Sequence, residues 1–426
     1  MKKGKSAGGS AALRRANAAF SKLYPGPSPA RQPVHTVYGG AHLFKADTAP
    51  KMGQLALAAL ERHAADGAAL ARAFEIEPAL AARIHARVGD KLRREAVEDF
   101  RIDFEDGFGN RPDAEEDATA RHAAEQVALG LERGTLPPFL GIRIKQFSND
   151  LHRRGSRTLD LFLNELLSRS KRALPPNFVV TLPKVALAEQ VTELATQLAA
   201  VERRHRVAAG SLKLEIMVET PQAILDATGR CPLRAFVAAA RGRCVAAHFG
   251  VYDYTAALDV TAAEQRMGHP VCDHARGVMQ IALAGTGIWL SDGATTVMPV
   301  GDGVIAAWRR HYADVRHSLS QAFYQGWDLH PAQLPSRYAA VYAFFLEGLA
   351  GATTRLKAFV ENATKATLVG DVFDDAATGQ GLLNYFLRGL SCGALSESEA
   401  LATGLTIEEI RSRSFLKILE GRRGRV

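Results

Sequence analysis

Two stretches carry the clearest chemistry, LEIMVETPQAI at 214–224 and VAAHFGVYDYT at 245–255. Each is an apolar run of strand length that ends in an acid, Glu219 or Asp253, and passes into a small-residue turn or a helix start. If the two runs are neighbouring parallel strands, both carboxylates leave the sheet at the same end. Two converging carboxylates make a hard-oxygen site suited to Mg²⁺ or Mn²⁺. Either acid alone could equally cap a following helix; the repeat of the pattern favours the metal.

Other strand-like runs end in polar residues as well. DFRIDFEDG (99–107) supplies Asp103, Glu105 and Asp106, and FLGIRIK (139–145) supplies Arg143. FVVTLPKV (178–185) supplies Lys184, GIWLSDG (287–293) Asp292 and GWDLHP (326–331) His330. A guanidinium can fork onto a carboxylate ligand, so Arg143 is a candidate for holding an anionic substrate. The competing reading pairs it with the acids of 103–106. Lys184 reads as a supporting ion pair or a substrate contact. His330 and Asp292 are as well explained by packing and turn capping. His35 should face the core or the helices, and Tyr38 and His42 lie nearer the strand end.

The elements that must position these groups follow from the same pass. Eight strand candidates, beginning with VHTVYGG (34–40), alternate with helical sequence up to about residue 335. The helical stretches fall near 51–65, 77–98, 113–133, 158–173, 187–206, 221–240, 262–285 and 303–323. Eight βα units predict a (β/α)₈ TIM barrel, whose chemistry sits at the C-terminal ends of the strands. An open doubly wound sheet would more often carry GxGxxG after its first strand, and VYGGAHLF does not. Residues 1–32 are expected to be a flexible basic leader and 33–335 the catalytic barrel. Residues 336–426 are expected to form a helical extension without a good strand, ending in a basic tail.

Composition narrows the class. Hydrophobic residues make up 47%, enough for a large core, and no apolar run reaches bilayer-spanning length. The leader lacks the apolar stretch of a secretory signal. The four cysteines are widely spaced with no CxxC, which points to a reducing, cytoplasmic setting and away from zinc. The net charge of +8 gathers at the ends (Lys2, Lys3, Lys5, Arg14, Arg15; Arg411, Arg413, Arg422, Arg423, Arg425), with no aromatics interleaved. That pattern reads as solvated tails and argues against nucleic acid.

The order DFEDG, IRI, LPKV, ETPQAI, FGVYDYTAALD, DLHPAQ resembles the HpcH/HpaI aldolase and citrate lyase beta-subunit superfamily over about residues 34–340. ETP followed by FGxxD carries most of the resemblance. It implies a pyruvate/phosphoenolpyruvate-type TIM barrel that makes or breaks carbon–carbon bonds through a metal-bound enolate. It also implies Glu219 and Asp253 as the Mg²⁺ ligands and Arg143 as the arginine at the oxo-acid and its enolate oxygen. Where the 2-oxo acid aldolase branch has a histidine in DxEH, this chain has Asp106, as in the citrate lyase-like and malyl-CoA lyase-like branch. Glu105 and Asp106 would then hold metal waters or orient Arg143 and Lys184. The acyl-CoA branch usually carries a glycine- and acid-bearing lid after HPxQ, whereas HPAQLPSRYAAVYAFFLEG runs straight into helical sequence.

The expected activity is a Mg²⁺-dependent carbon–carbon lyase on a small carboxylate, a 2-oxo acid or 3-hydroxy acid derivative, in a homo-oligomer. One alternative keeps the fold and changes the reaction to acyl-CoA lysis, malate synthase-like condensation or thioester hydrolysis, with a CoA thioester as substrate. Another is a non-catalytic or RNA-binding protein on a retired barrel.

Overall fold

The computed structural model describes residues 11–28, 30–361, 367–369, 372–374 and 376–423. Its centre is a closed barrel of eight parallel strands: β1 (His35–Gly40), β2 (Asp99–Asp103), β3 (Phe139–Arg143), β4 (Phe178–Leu182), β5 (Lys213–Val218), β6 (Cys244–Phe249), β7 (Trp289–Ala294) and β8 (Gln325–Asp328). β1 pairs in parallel with β2 on one side and β8 on the other, so the sheet has no edge. This is the (β/α)₈ barrel expected from the strand pattern, and closure excludes the open doubly wound sheet.

The strands read as near-continuous apolar runs because both faces are covered, one by the barrel interior and one by helices. Ile102, Leu140, Ile142, Val180, Leu214, Ile216 and Phe249 are all buried in one core with helical residues such as Leu163, Leu194 and Phe236. The barrel interior is largely polar. Arg101 donates to Asp99 and to both oxygens of Glu215, and Thr181 Oγ1 also donates to Glu215. His248 Nδ1 accepts from Trp327 Nε1 at 3.2 Å, which leaves the proton on Nε2, 3.2 Å from Glu215 Oε2. Such buried charges are tolerable because nearly every donor finds an acceptor.

Several boundaries differ from the sequence expectation. The helix expected over 221–240 is two short helices, Pro221–Ile224 and Leu233–Ala239. Asp226 breaks it, its Oδ1 accepting from the backbone N–H groups of Thr228 and Arg230. The helix expected at 262–285 begins only at Pro270, with His269 as its cap. Within the expected leader, Ala11–Leu23 is helical, and Gln32 is buried and donates to Gln325 at 3.1 Å. Lys2, Lys3 and Lys5 lie outside the described residues, as does Arg425.

Beyond β8, the helix Leu334–Glu347 is buried on nearly all sides and completes the barrel's helical ring. Tyr338 Oη reaches across to donate to the Ala96 carbonyl at 2.9 Å. Among the described residues beyond this helix, helices are accompanied by a two-stranded antiparallel pair, Thr367–Val369 with Val372–Asp374, which the sequence reading did not foresee. The basic tail is also less solvated than expected. Arg422 forks onto Glu409 at 2.7 and 2.8 Å and donates to the Gly404 carbonyl. Among the described residues no helix is long and apolar enough to cross a membrane.

Candidate active site

Parallel closure puts Asp103, Arg143, Lys184, Glu219 and Asp253 at the same, C-terminal mouth of the barrel. Arg143 ends β3, and its neighbour in register on β2 is Asp103. Glu219 follows the last residue of β5. Asp253 stands in the first turn of the helix Val251–Ala256, directly after β6. Glu105 and Asp106 lie in the turn after β2, folded back by Asp103, whose oxygens accept from the N–H groups of Glu105 and Gly107. A Cβ on Gly107 would sit 2.6 Å from Asp103 Oδ2, so only glycine lets this turn close.

Two nitrogens of the Arg143 guanidinium are taken by one carboxylate. Nε lies 2.7 Å from Asp103 Oδ1 and Nη2 2.5 Å from Oδ2. The fork expected to hold a substrate is therefore spent on Asp103, which is the competing ion-pair reading of the sequence. Nη1 is the edge left facing the mouth, 3.0 Å from Glu105 Oε2 and 3.6 Å from Asp106 Oδ2. Below, the guanidinium lies over the Tyr38 ring, 4.9 Å from its centroid. Burial works against the charges of both partners, yet each holds the other ionised: Asp103 stays below the usual carboxylate range and Arg143 well above its own ordinary value.

Lys184 sits opposite Arg143, in the turn after β4, at φ 50°. Its Nζ is 2.6 Å from Glu105 Oε1, 3.2 Å from Asp253 Oδ2 and 3.7 Å from Asp106 Oδ2. Its backbone N–H donates to Glu219 Oε1 at 2.6 Å. Glu219 is buried, and burial pushes its carboxyl up to about 8; the Lys184 ammonium opposes that, and the charges of Glu105 and Asp253 add to it. Gly250 gives Glu219 its space, since a Cβ there would lie 2.4 Å from Oε2.

The acids Glu105, Asp106, Glu219 and Asp253 thus face two cationic side chains, and Arg143 is already neutralised by Asp103. The shortfall of positive charge is visible at two atoms. Burial pushes the Glu219 carboxyl up to about 8, and the buried Glu105 Oε2 makes no hydrogen bond despite the nearby Arg143. A divalent cation fits that deficit. Among the described residues no three His, Cys, Asp or Glu side chains converge tightly enough to hold a metal by themselves. Mg²⁺ does not need three: it is commonly held by one or two carboxylates and keeps waters or substrate oxygens elsewhere.

The remaining candidates fall outside this cluster. Asp292 is buried behind β7, where it accepts from Arg276 at 3.0 Å and from Ser318 at 2.5 Å. His330 caps the turn Pro331–Gln333 through Nδ1, and burial lowers its pKa. His35 is buried on the helix side of β1, 2.8 Å from Asp328 Oδ2 and with its ring 5.6 Å from that of Tyr338. Tyr38 lies beneath the site, and His42 beside Phe108 with ring centroids 5.7 Å apart. At the opposite end of the barrel a cavity of about 320 Å³ is walled by Phe139, Phe178 and Trp289, and the charges on its floor, Asp99, Arg101 and Glu215, are already paired with one another. Sequence reasoning named Asp103 only as one of the acids of 103–106 in the ion-pair reading of Arg143, although its alternation with Arg101 in DFRID places both on one face of β2.

A family described as "Domain of unknown function (DUF6986)" matches residues 13–418. No curated protein matches the sequence. Among solved structures, a citrate lyase from Burkholderia xenovorans LB400 superposes with a TM-score of 0.58 at 20% identity, covering 88% of this chain and 97% of that one. A malate synthase from Haloferax volcanii, solved as a lead(II) complex, gives 0.47 at 16% identity over 80% of this chain and 93% of that one. At 20% identity the likeness to the citrate lyase is one of fold.

Proposed function

The chain belongs to the DUF6986 family, and we propose that it is a divalent-metal-dependent carbon–carbon lyase acting on a small 2-oxo acid or 3-hydroxy acid anion. The observation that carries this reading is the mouth itself: Glu105, Asp106, Glu219 and Asp253 gathered around Lys184 and the mouth-facing Nη1 of Arg143. The fold shared with the citrate lyase of Burkholderia xenovorans is consistent with it, as is the resemblance of ETP and FGxxD to the aldolase and citrate lyase-like superfamily.

In this reading Glu219 and Asp253 hold the cation. When bound, Mg²⁺ or Mn²⁺ supplies Lewis-acid charge beside the carbonyl and carboxylate oxygens of the substrate. Arg143 Nη1 faces the same space and stabilises negative charge that develops on an oxygen there. Because Asp103 fixes the guanidinium plane before substrate arrives, no reorganisation is needed during the reaction, and preorganised donors of this kind are the strongest stabilisers. Lys184 balances the excess of carboxylates and favours an anionic ligand over a neutral one. Glu105, already 2.6 Å from Lys184 Nζ, and the more exposed Asp106 are placed to take or return a proton at the substrate's reacting carbon or oxygen.

The test is turnover. The protein with Mg²⁺ should release pyruvate or a related oxo-acid from one of a panel of 4-hydroxy-2-oxo acids and 3-hydroxy acids, with EDTA stopping the reaction. Cleavage of acyl-CoA substrates with inert free acids would move the assignment to a thioester lyase. Turnover indifferent to EDTA and to Glu219→Gln would overturn it.

A further inference from the structure

The acid cluster holds an ammonium beside both proposed metal ligands. Lys184 Nζ touches Asp253 at 3.2 Å, and its backbone N–H ties it to Glu219 at 2.6 Å, so one residue engages both proposed ligands. Its backbone occupies the left-handed region at φ 50°, a conformation a lysine keeps only where its surroundings hold it there. The two side-chain anchors are unequal. Glu105 is 9% exposed and 2.6 Å away, whereas Asp253 is 41% exposed and farther.

We infer that Lys184 is a built-in competitor for the metal: its ammonium neutralises Asp253 in the metal-free protein, and a divalent cation enters by displacing it onto Glu105. The inference rests on Glu219 and Asp253 being the ligands. A hard cation sits only about 2.0–2.1 Å from its carboxylate oxygen. An ammonium at ion-pair distance from that same carboxylate would be held against the cation with like charge, so both cannot keep Asp253 in full. The weaker, more exposed contact is the one that yields, and the short bond to Glu105 keeps the displaced ammonium in the mouth. There it stays available to an anionic substrate. The metal-free mouth thereby carries less uncompensated negative charge, and its affinity for the cation is set lower than four carboxylates alone would give.

A lysine that merely props up the site predicts the opposite sign for its removal, and this is what the experiment reads. Mn²⁺ is titrated into the full-length protein without substrate, with free Mn²⁺ followed by electron paramagnetic resonance. Lys184→Met and Lys184→Gln should bind Mn²⁺ more tightly than the unaltered protein by about tenfold or more, as expected for loss of one close competing charge. Equal or weaker binding in both variants, with the unaltered protein binding Mn²⁺, overturns the inference and leaves the ligand assignment standing. If neither the unaltered protein nor the variants bind Mn²⁺, the ligand assignment fails and the inference fails with it. Should the variants not fold, a crystal structure of the unaltered protein with Mn²⁺ decides. Nζ moved off Asp253 onto Glu105 supports displacement, and Nζ still within hydrogen-bond distance of a metal-bound Asp253 overturns it.

Discussion

Asp103 accepts both Nε and Nη2 of Arg143, so the arginine at the barrel mouth is clamped from β2 and offers the mouth only Nη1. The clamp separates two roles that a sequence reading merges. Asp103 sets the plane of the guanidinium, and Nη1 alone is left to meet a ligand.

Asp103→Asn should therefore damage activity without touching substrate. It leaves a buried guanidinium short of its counter-charge, and breaking such a pair typically costs about 3–5 kcal/mol. Urea unfolding should show that loss, and turnover per folded molecule should fall as well. Full turnover in a destabilised variant would show that the orientation of Arg143 is unimportant.

Arg143→Lys keeps a positive charge but cannot span both oxygens of Asp103 while also presenting a donor at the Nη1 position. Loss of one preorganised donor to a developing oxyanion lowers the rate by about 10²–10³-fold. Mn²⁺ affinity should stay close to the parent value. A lysine variant with parental kcat would remove Arg143 from the chemistry.

Glu219→Gln and Asp253→Asn each delete a negative charge while keeping shape, and each should weaken Mn²⁺ binding sharply, as calorimetry would measure. Gly250→Ala deletes no charge. Its Cβ, built 2.4 Å from Glu219 Oε2, should push that carboxylate out of place. It should reproduce the Glu219→Gln loss of metal at an added stability cost of about 1–3 kcal/mol. If metal affinity survives in Gly250→Ala, the position of Glu219 is not what the glycine protects.

Inside the barrel, Glu215 is buried, which disfavours its charge, but Arg101 and His248 overcome this and hold its pKa well below the ordinary value. A carboxylate depressed in the folded state stabilises the fold above its unfolded pKa of about 4.3, and the contribution is lost as pH falls from there towards the folded value. Glu215→Gln should thus be less stable at neutral pH by about 3–5 kcal/mol, as expected for breaking a buried pair. It should also show a flatter loss of stability between about pH 4 and acid unfolding. Circular dichroism across an acid titration measures both, and an unchanged acid profile would remove Glu215 from the linkage.

The sequence by itself determined the strands and what stands at their ends. Strand-length apolar runs separated by amphipathic helices specify βα units, and parallel units put every run's last residue at one mouth. That is why Arg143, Lys184, Glu219 and Asp253 could be gathered from one dimension. Only the tertiary structure decided partners. Arg143 meets Asp103 because β2 and β3 pair in register at those two residues, while Asp292 turns outward to the helix arginine Arg276 rather than into the mouth. Lys184 reaches Asp253 from β4's turn across β5, and Arg422 folds back onto Glu409 instead of trailing in solvent. These contacts join residues through register and helix packing around a closed ring, and no local pattern encodes them. Propensity and periodicity fix where a side chain starts; the neighbouring strand or helix fixes which charge it meets.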